Sequence, residues 1–435
     1  VISHRARTLF MIVIFFLLMM VNAVFAVAIS NAFVATPSSV IPSWSAIAVA
    51  VVIGVLIYKM KVPLLWPTVV GVIMLYSVMY LGERFPVELP QTFMGLGAAP
   101  QWIIILFAYA TIASMLPVWL LLQPRDYING IQLIIGLGLL FGAVFIANPT
   151  IVAPMYNTVV PEGTPPLLPL LFVTIACGAL SGFHGLVASG TTSKQLDKEP
   201  DARFVGYLGS SGEGLLALVT IIAVSAGFAS LGEWQTVYAQ FGGTIGISTF
   251  VAGGSQIVSD GLPLSQAFAA TLLAVMAILF AATTMDTGVR LQRFIIQEWG
   301  TIYKIPALQN GYIATFLAVA ACLALAFGAG GADGQGGMLI WPLFGTTNQL
   351  LAGLTLLVIS VMLVKLRRRY IFTLAPMVFV TTMSFLAAIY QLWDLFTGGS
   401  YMLMTLDVVV IILAIFVILE STSAFSREKK AAAAS

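Results

Sequence analysis

Apolar stretches of about 20 residues follow one another along almost the whole chain, and they constrain its fold more than any other feature. A helix needs about 20 apolar residues to cross the hydrocarbon core of a bilayer. Of the 435 residues, 60% are hydrophobic and only 8% are charged, whereas a soluble domain carries about 25% charged residues. The sequence therefore predicts an all-α polytopic membrane protein that has lipid as its main solvent.

Twelve stretches qualify as transmembrane helices, and we predict that they form one transmembrane domain over residues 1–435, with a helical bundle at 8–430. A Gly-rich segment at 244–258 is too short to span and is expected to be a re-entrant or surface helix. Residues 431–435 form a low-complexity, alanine-rich tail. The predicted spans are 8–34, 44–58, 63–82, 101–122, 127–147, 167–187, 205–230, 264–285, 309–328, 338–363, 370–391 and 401–420.

The distribution of positive charge predicts the orientation of these spans. With the N-terminus in the cytoplasm, every lysine and arginine except Arg84 falls in a cytoplasmic loop or at a cytoplasmic end, as the positive-inside rule requires. Both termini are then cytoplasmic. The net charge of +2 gives no reason to expect a nucleic-acid partner, whereas the lipid bilayer is an obligatory one.

Cysteine usage and loop length exclude several classes of protein. The two cysteines, Cys177 and Cys322, lie in apolar runs, which argues against a disulfide framework or a cysteine metal site. We expect no metal and no cofactor. The loops are too short to hold a soluble readout domain, so function is expected within the membrane. The oligomeric state is left open.

The most unusual span ends in a run rich in Gly, Ser and Thr, from 177 to 196, which includes His184. Glycine weakens a helix by roughly 1 kcal/mol relative to alanine, so this run predicts an unwound helix. Broken helices at membrane depth occur where they face protein or a water-filled cavity, and they can hold a substrate or an ion. His184 is then a solute contact or a proton acceptor; alternatively, a neighbouring helix satisfies it.

Other polar residues interrupt later spans. Glu213 lies about two turns into its span. It is either a proton-coupling carboxyl, a buried protonated residue bonded to helix ends, or the partner of a cytoplasmic arginine. Thr283 and Thr284 are candidates for ion coupling, or for ordinary packing between helices. Asp286 and Arg290, four residues apart, form either a gating ion pair or a simple helical pair.

The segment 341–350 (WPLFGTTNQL) contains Pro, Gly, Thr, Asn and Gln early in its span. It predicts a second interrupted helix, with Thr347 and Asn348 facing the solute; alternatively, Asn348 and Gln349 bridge helices. Interrupted spans in several positions are typical of secondary transporters.

Several long motifs closely resemble the carbon starvation protein A (CstA) family and occur in the family's order. They are SGFHGLVASGTTSKQL at 181–196, MDTGVRLQRFIIQE at 285–298 and WPLFGTTNQLL at 341–351, together with QPRDY at 123–127, ANP at 147–149 and EGL at 213–215.

This resemblance implies a bacterial inner-membrane transporter that takes up small peptides under carbon limitation, or pyruvate with protons. It also implies a distant similarity to the amino acid–polyamine–cation transporters, which have an inverted repeat and two broken helices. Residues 181–192 would form the broken helix of the second repeat. Its solute contacts would be Ser181, Gly182, His184, Ser189, Gly190, Thr191 and Thr192.

The family begins with further helices, including a glycine-rich broken helix that bears a histidine, and none like it occurs here before Val1. We therefore expect the chain to lack the N-terminal part of the family's sequence.

Three functions remain as hypotheses. The leading one is a proton-coupled importer in which the solute's carboxylate docks at helix N-termini and His184 or Glu213 carries the proton. The second is a membrane nutrient sensor without transport. The third is an intramembrane hydrolase that pairs Ser189 or Ser211 with His184.

Overall fold

The computed structural model describes residues 4–157, 160–161, 164–239 and 246–434. Residues 244, 245 and 435, which belong to the predicted short helix and the predicted tail, lie outside these ranges. Within them the chain is built from α-helices joined by turns and loops. In chain order the helices are α1 (His4–Ala35), α2 (Val40–Gly54), α3 (Leu65–Arg84), α4 (Ala98–Met115), α5 (Leu122–Ala147), α6 (Phe172–Ile175), α7 (Gly182–Gly190), α8 (Asp201–Ala226), α9 (Leu231–Val237), α10 (Gly246–Gly261), α11 (Gln266–Ile302), α12 (Pro306–Gln309), α13 (Gly311–Gly330), α14 (Gly336–Leu339), α15 (Trp341–Lys365), α16 (Ile371–Thr397) and α17 (Tyr401–Ala434).

Ten helices in the described part of the chain are long and apolar enough to cross a membrane, and all ten coincide with predicted spans. The prediction of an all-α polytopic membrane protein is therefore confirmed. The two predicted spans that do not reach this standard are 167–187 and 401–420. In α17 only Tyr401–Phe416 forms a shorter apolar helix, although the helix itself continues to Ala434.

The predicted span at 167–187 is broken into short pieces. A turn at Leu167–Leu171 is followed by α6, by a 3-10 turn at Ala176–Gly178, and then by α7. Pro165, Pro166 and Pro169 have no backbone N–H to donate, and Leu168 has non-helical backbone angles. Proline at the start and glycine near the middle thus prevent one continuous helix.

The chain divides into two compact units. Unit 1 consists of Val1–Val21, Pro165–Gly214 and Leu339–Ser435, and unit 2 of Asn22–Thr164 and Leu215–Met338. Within unit 1, α15 packs against α6, α7, α16 and α17. Within unit 2, α11 packs against α2, α3, α4, α5, α10 and α13. The single transmembrane domain expected from the sequence stays a prediction.

The helix α10 accounts for most of the short segment predicted at 244–258. Its buried residues include Phe250, Val251, Ile257 and Val258, and it packs against α5 and α11. The structure thus has a helix over most of this segment, packed within unit 2, and its placement as a re-entrant or surface helix stays a prediction.

Two glycines allow α10 to meet the C-terminal part of α8 at very short range. A Cβ placed on Gly253 would collide with the carbonyl oxygen of Ala223, and one placed on Gly227 would collide with the backbone of Gly253. Small residues at helix crossings let backbones approach closely within a membrane, and this crossing depends on both glycines.

We therefore expect Gly253→Ala to lower the free energy of unfolding by about 1–3 kcal/mol, the usual effect of overpacking. Gly138→Ala is the matched control, because Gly138 lies inside α5 with nothing near its Cβ position. There the substitution should be neutral or stabilising. Thermal unfolding of the two variants in detergent compares them, and equal midpoints would contradict the proposed close crossing.

Candidate functional site

The interruption between α6 and α7 is the central feature of unit 1. Helical geometry is lost after the turn at Ala176–Gly178 and resumes at Gly182. Ser181 caps the new helix, since its Oγ accepts a hydrogen bond from the backbone N–H of His184 at 3.3 Å. The predicted broken helix is thus present, and the break lies near the start of the 177–196 run, between Gly178 and Gly182, while 182–190 is helical.

Asn348 on α15 forms hydrogen bonds to residues on both sides of this interruption, using both the oxygen and the nitrogen of its side-chain amide. Its Oδ1 accepts from the backbone N–H of Phe183 at 2.8 Å, and its Nδ2 donates to Ser181 Oγ and to Cys177 Sγ, each at 3.1 Å. Asn348 is fully buried. In addition, Gln349 donates to the carbonyl oxygen of Leu180 at 2.8 Å. The bridging alternative for Asn348 and Gln349 is therefore confirmed.

Glycines allow α7 to lie against α15 without side chains between the backbones. A Cβ on Gly182 would lie 2.6 Å from Cβ of Leu351 and 2.7 Å from the backbone nitrogen of Ala352. A Cβ on Gly185 would lie 3.0 Å from Cγ2 of Thr355. These glycines serve close packing, which explains why α7 is helical despite its composition.

The interruption predicted at 341–350 is wrong, because α15 is continuous from Trp341. Pro342 sits at the start of the helix, where its missing N–H has no intrahelical partner to lose. Thr347 is fully buried and donates to the carbonyl oxygen of Leu343 at 2.8 Å, a local bond that threonines make inside helices. Its hydroxyl therefore does not face an open cavity.

The other solute contacts expected in this region lie along and after α7. His184 is exposed, and its ring packs edge-on against that of Phe183. Ser189 donates to the carbonyl oxygen of Leu186 at 2.9 Å, so its hydroxyl is engaged with its own helix. Gly190 ends α7, and Thr191 and Thr192 follow it, half-buried.

Glu213 lies on α8 beside the interruption. A Cβ on Gly178 would be 3.9 Å from Oε1 of Glu213, and Glu213 is half-buried. The structure thus brings Ser181, Gly182, Asn348 and Glu213 to the break, whereas Thr347 is turned into its own helix.

The N-terminus of α7 is closed by side chains, contrary to the open anion site that the sequence suggested. The backbone N–H groups of Phe183 and His184 already donate to Asn348 and Ser181. A solute carboxylate could bind these amides only by displacing those side chains.

A second polar cluster lies in unit 2 and joins α4, α5 and α11. Asp286 Oδ2 is bonded to the guanidinium of Arg125 and accepts from the hydroxyl of Tyr109 at 2.7 Å. The side chains of Arg125 and Asp286 are each 3% exposed. Removing one partner of an ion pair this deeply buried is strongly destabilising, because the remaining charge is left uncompensated.

The expected pairing of Asp286 with Arg290 is therefore corrected. Arg290 instead donates to the carbonyl oxygens of Ala113 and Leu116, at 3.1 and 2.8 Å. These groups lie at the C-terminal end of α4, where carbonyls have no intrahelical partner. A gating role for Asp286 and Arg290 stays a prediction.

Sequence reasoning missed Arg125 because the expected span began at 127 and left this residue in a cytoplasmic loop. In the structure α5 begins at Leu122, and Arg125 is buried in its first turn. Thr283 and Thr284 also lie in unit 2, where both hydroxyls donate to the carbonyl oxygen of Phe280 at 3.0 Å. They show no ion-binding arrangement of their own.

Asp407 on α17 is a further buried carboxylic acid in unit 1. It is fully buried, and neither carboxyl oxygen has a hydrogen-bond partner in the described structure. No group of three or more His, Cys, Asp or Glu side chains that could hold a metal occurs among the described residues.

Comparisons with known proteins show which family the sequence matches. The family model described as carbon starvation protein CstA matches residues 1–230 and 226–387. The peptide transporter CstA of Helicobacter pylori strain J99 is 32% identical over 376 residues, which are 74% of this chain and 54% of the relative. That of Campylobacter jejuni is 30% identical over 424 residues, 85% of this chain and 60% of the relative.

A relative with a different name is also similar. The pyruvate/proton symporter BtsT of Escherichia coli K12 is 29% identical over 445 aligned residues, 84% of this chain and 61% of the relative. No solved structure matches the chain. The chain spans little more than half the length of these curated relatives.

Proposed function

This chain belongs to the carbon starvation protein CstA family, and from that premise we propose that the intact protein is a secondary transporter that imports a small carboxylate-bearing solute with protons. The names of the relatives support a short peptide or pyruvate as the solute. We further propose that it resides in a bacterial inner membrane with both termini in the cytoplasm. The arginines after α15, at 367–369, support that orientation.

The observation that carries this proposal is the interrupted helix between Ala176 and Gly182, held by Asn348. Secondary transporters build their solute sites at discontinuous helices, whose free backbone groups and half-helix dipoles can hold ions. Here the backbone N–H groups of Phe183 and His184 donate to Asn348 and Ser181, respectively. In the proposed mechanism the solute's carboxylate exchanges with these side chains at the first turn of α7, as alternating access exposes it.

Two titratable side chains flank the interruption and suit the remaining roles. His184, exposed on α7, or Glu213, half-buried beside Gly178, would carry the proton. A peptide also has an ammonium group, which Glu213 would bind. Pyruvate lacks that group and needs only an anion site. Ser189, Gly190, Thr191 and Thr192 remain proposed contacts at the far end of α7.

The test uses the full-length protein in proteoliposomes with an inward proton gradient. Uptake of labelled pyruvate and of a labelled dipeptide is followed side by side, each with a His184→Ala variant. We expect one of the two solutes to accumulate only with the gradient. A loss of accumulation of at least tenfold in His184→Ala assigns a role in the coupled step to His184, and unchanged accumulation assigns the proton to Glu213. Thr382→Val is the matched control, because Thr382 is exposed on α16 and bonds only within its own helix.

The outcomes separate the hypotheses. Accumulation of pyruvate alone supports an anion–proton symporter and removes the need for an ammonium contact at Glu213. Accumulation of the dipeptide alone makes Glu213 the expected amine contact. If neither solute moves, transport of these solutes is rejected and a sensor without transport becomes the better hypothesis.

A further inference from the structure

The helix α5 presents a polar face inside unit 2 that the proposed transport mechanism does not use. Arg125, Asn129 and Gln132 follow each other at intervals of four and three residues, the spacing of one helix face. They are 2%, 5% and 2% exposed, respectively. Gly136 continues the same face one turn later.

This polar face lies along α11. Arg125 pairs with Asp286, Asn129 donates to the carbonyl oxygen of Leu279 at 3.3 Å, and a Cβ on Gly136 would lie 2.8 Å from Sδ of Met276. The contacts on α11 therefore run from 286 to 276, ten residues or about 15 Å of helix. Gln132 lies between the second and third of these contacts.

The polar atoms along this line are buried and largely unpaired. Oδ1 of Asn129, both amide atoms of Gln132, Nε of Arg125 and Oδ1 of Asp286 have no hydrogen-bond partner. Unpaired polar groups at such depth are rare in native proteins and are usually satisfied by ordered water. In a bilayer, no bulk solvent is present to satisfy them.

Two further hydroxyls belong to helices that pack on both α5 and α11. Ser43 on α2 and Tyr76 on α3 are each without a partner for their hydroxyl oxygen, and α2 and α3 contact both helices. Unpaired buried polar groups therefore occur on four helices of unit 2 that pack on one another, and not on α5 alone.

We propose that a row of bound water molecules lies between α5 and α11, from Gln132 to the Asp286–Arg125 pair. Water fits this site because Gln132 leaves both a donor and an acceptor unpaired, and a water molecule can both donate and accept. A metal cation fits poorly, because Arg125 already neutralises Asp286 and would repel a second positive charge. The row gives the carboxylate of Asp286 a hydrated route to the middle of α5.

The test measures water next to Met276 directly. A short X-ray pulse generates hydroxyl radicals from water in the full-length, detergent-solubilised protein, and mass spectrometry quantifies oxidation at each methionine. Met20 is the reference, because it is buried to the same degree as Met276, with 1% of it exposed against 3% for Met276. Equal burial without internal water predicts equal oxidation, whereas the proposed row predicts several-fold more oxidation at Met276.

Variants make the test specific. Asn129→Leu combined with Gln132→Leu should remove the groups that hold the water and lower Met276 oxidation to the level of Met20. Ser255→Ala is the control, since Ser255 is buried in unit 2 but bonds to its own helix at Ala252; it should leave Met276 oxidation unchanged. Met276 oxidation equal to that of Met20 in the unmodified protein would overturn the proposal.

Thermal unfolding tests the proposal independently of methionine oxidation. If the face is dry, replacing the unpaired amide of Gln132 by leucine removes a desolvation penalty and raises Tm by several degrees. If water fills the row, Gln132→Leu displaces molecules that satisfy Asn129 and Asp286, and Tm stays unchanged or falls. A rise in Tm with Gln132→Leu therefore contradicts the proposal.

Discussion

Replacing Arg125 with leucine is expected to lower the free energy of unfolding by about 3–5 kcal/mol, the usual effect of removing one partner of a buried ion pair. Asp286 would keep only the hydroxyl of Tyr109 as a partner for Oδ2, while its Oδ1 has none in the described structure. Because α4, α5 and α11 meet at this carboxylate, the destabilisation should affect unit 2 as a whole. Unfolding in detergent by heat or denaturant measures it.

The double variant Arg125→Leu/Asp286→Leu separates lost charge pairing from lost packing. Buried ion pairs replaced by apolar residues are often neutral or stabilising, so the second substitution should recover most of the lost stability. Arg84→Leu is the control, because Arg84 is exposed and stacks on the exposed Tyr80. If Arg125→Leu destabilises no more than Arg84→Leu, the buried pair does not hold unit 2 together.

Hydropathy predicted ten of the helices because bilayer thickness imposes a length that apolar composition alone reveals. It failed at 167–187, where prolines remove backbone donors and the chain re-forms short helices instead. Apolar composition cannot distinguish a continuous span from several short segments of the same total length.

The polar sites were harder to predict, because their partners lie far apart in sequence. Arg125 and Asp286 are separated by 161 residues, and Ser181 and Asn348 by 167. The sequence showed Asp286 near Arg290 and suggested that pairing, since only local spacing was visible. Because α5 begins at Leu122, Arg125 lies in its first turn and is buried, where it pairs with Asp286.

The predictions made from Pro342, Gly182 and Gly185 were also wrong, because all three lie in helices despite the helix-breaking tendency of proline and glycine. Pro342 predicted an interruption but begins α15, a position that proline tolerates. Gly182 and Gly185 predicted unwinding, but they lie in a helix because α15 fills the space of their missing side chains. Neither preference can be judged without the neighbouring helix.

Replacing Asn348 with leucine is expected to release the interrupted helix of unit 1. The substitution keeps the approximate side-chain volume but leaves the N–H of Phe183 without an acceptor and Ser181 Oγ without its donor from α15. Each buried group left unpaired costs about 1–3 kcal/mol. We expect a lower Tm and, under the proposed function, a loss of solute uptake of at least tenfold.

Cys177 reports on the release itself, because Asn348 Nδ2 donates to its Sγ at 3.1 Å. In the Asn348→Leu variant, a membrane-permeant maleimide should modify Cys177 several-fold faster, as mass spectrometry of that residue would show. Thr347→Val is the matched control, since Thr347 is the fully buried neighbour that bonds only to Leu343 of its own helix. Unchanged Cys177 reactivity in Asn348→Leu would mean that close packing of Gly182 and Gly185 on α15 holds α7 without the amide. If Asn348→Leu and Thr347→Val reduce solute uptake equally, the solute contacts the turn of α15 that carries both residues, and the loss is not specific to the amide of Asn348.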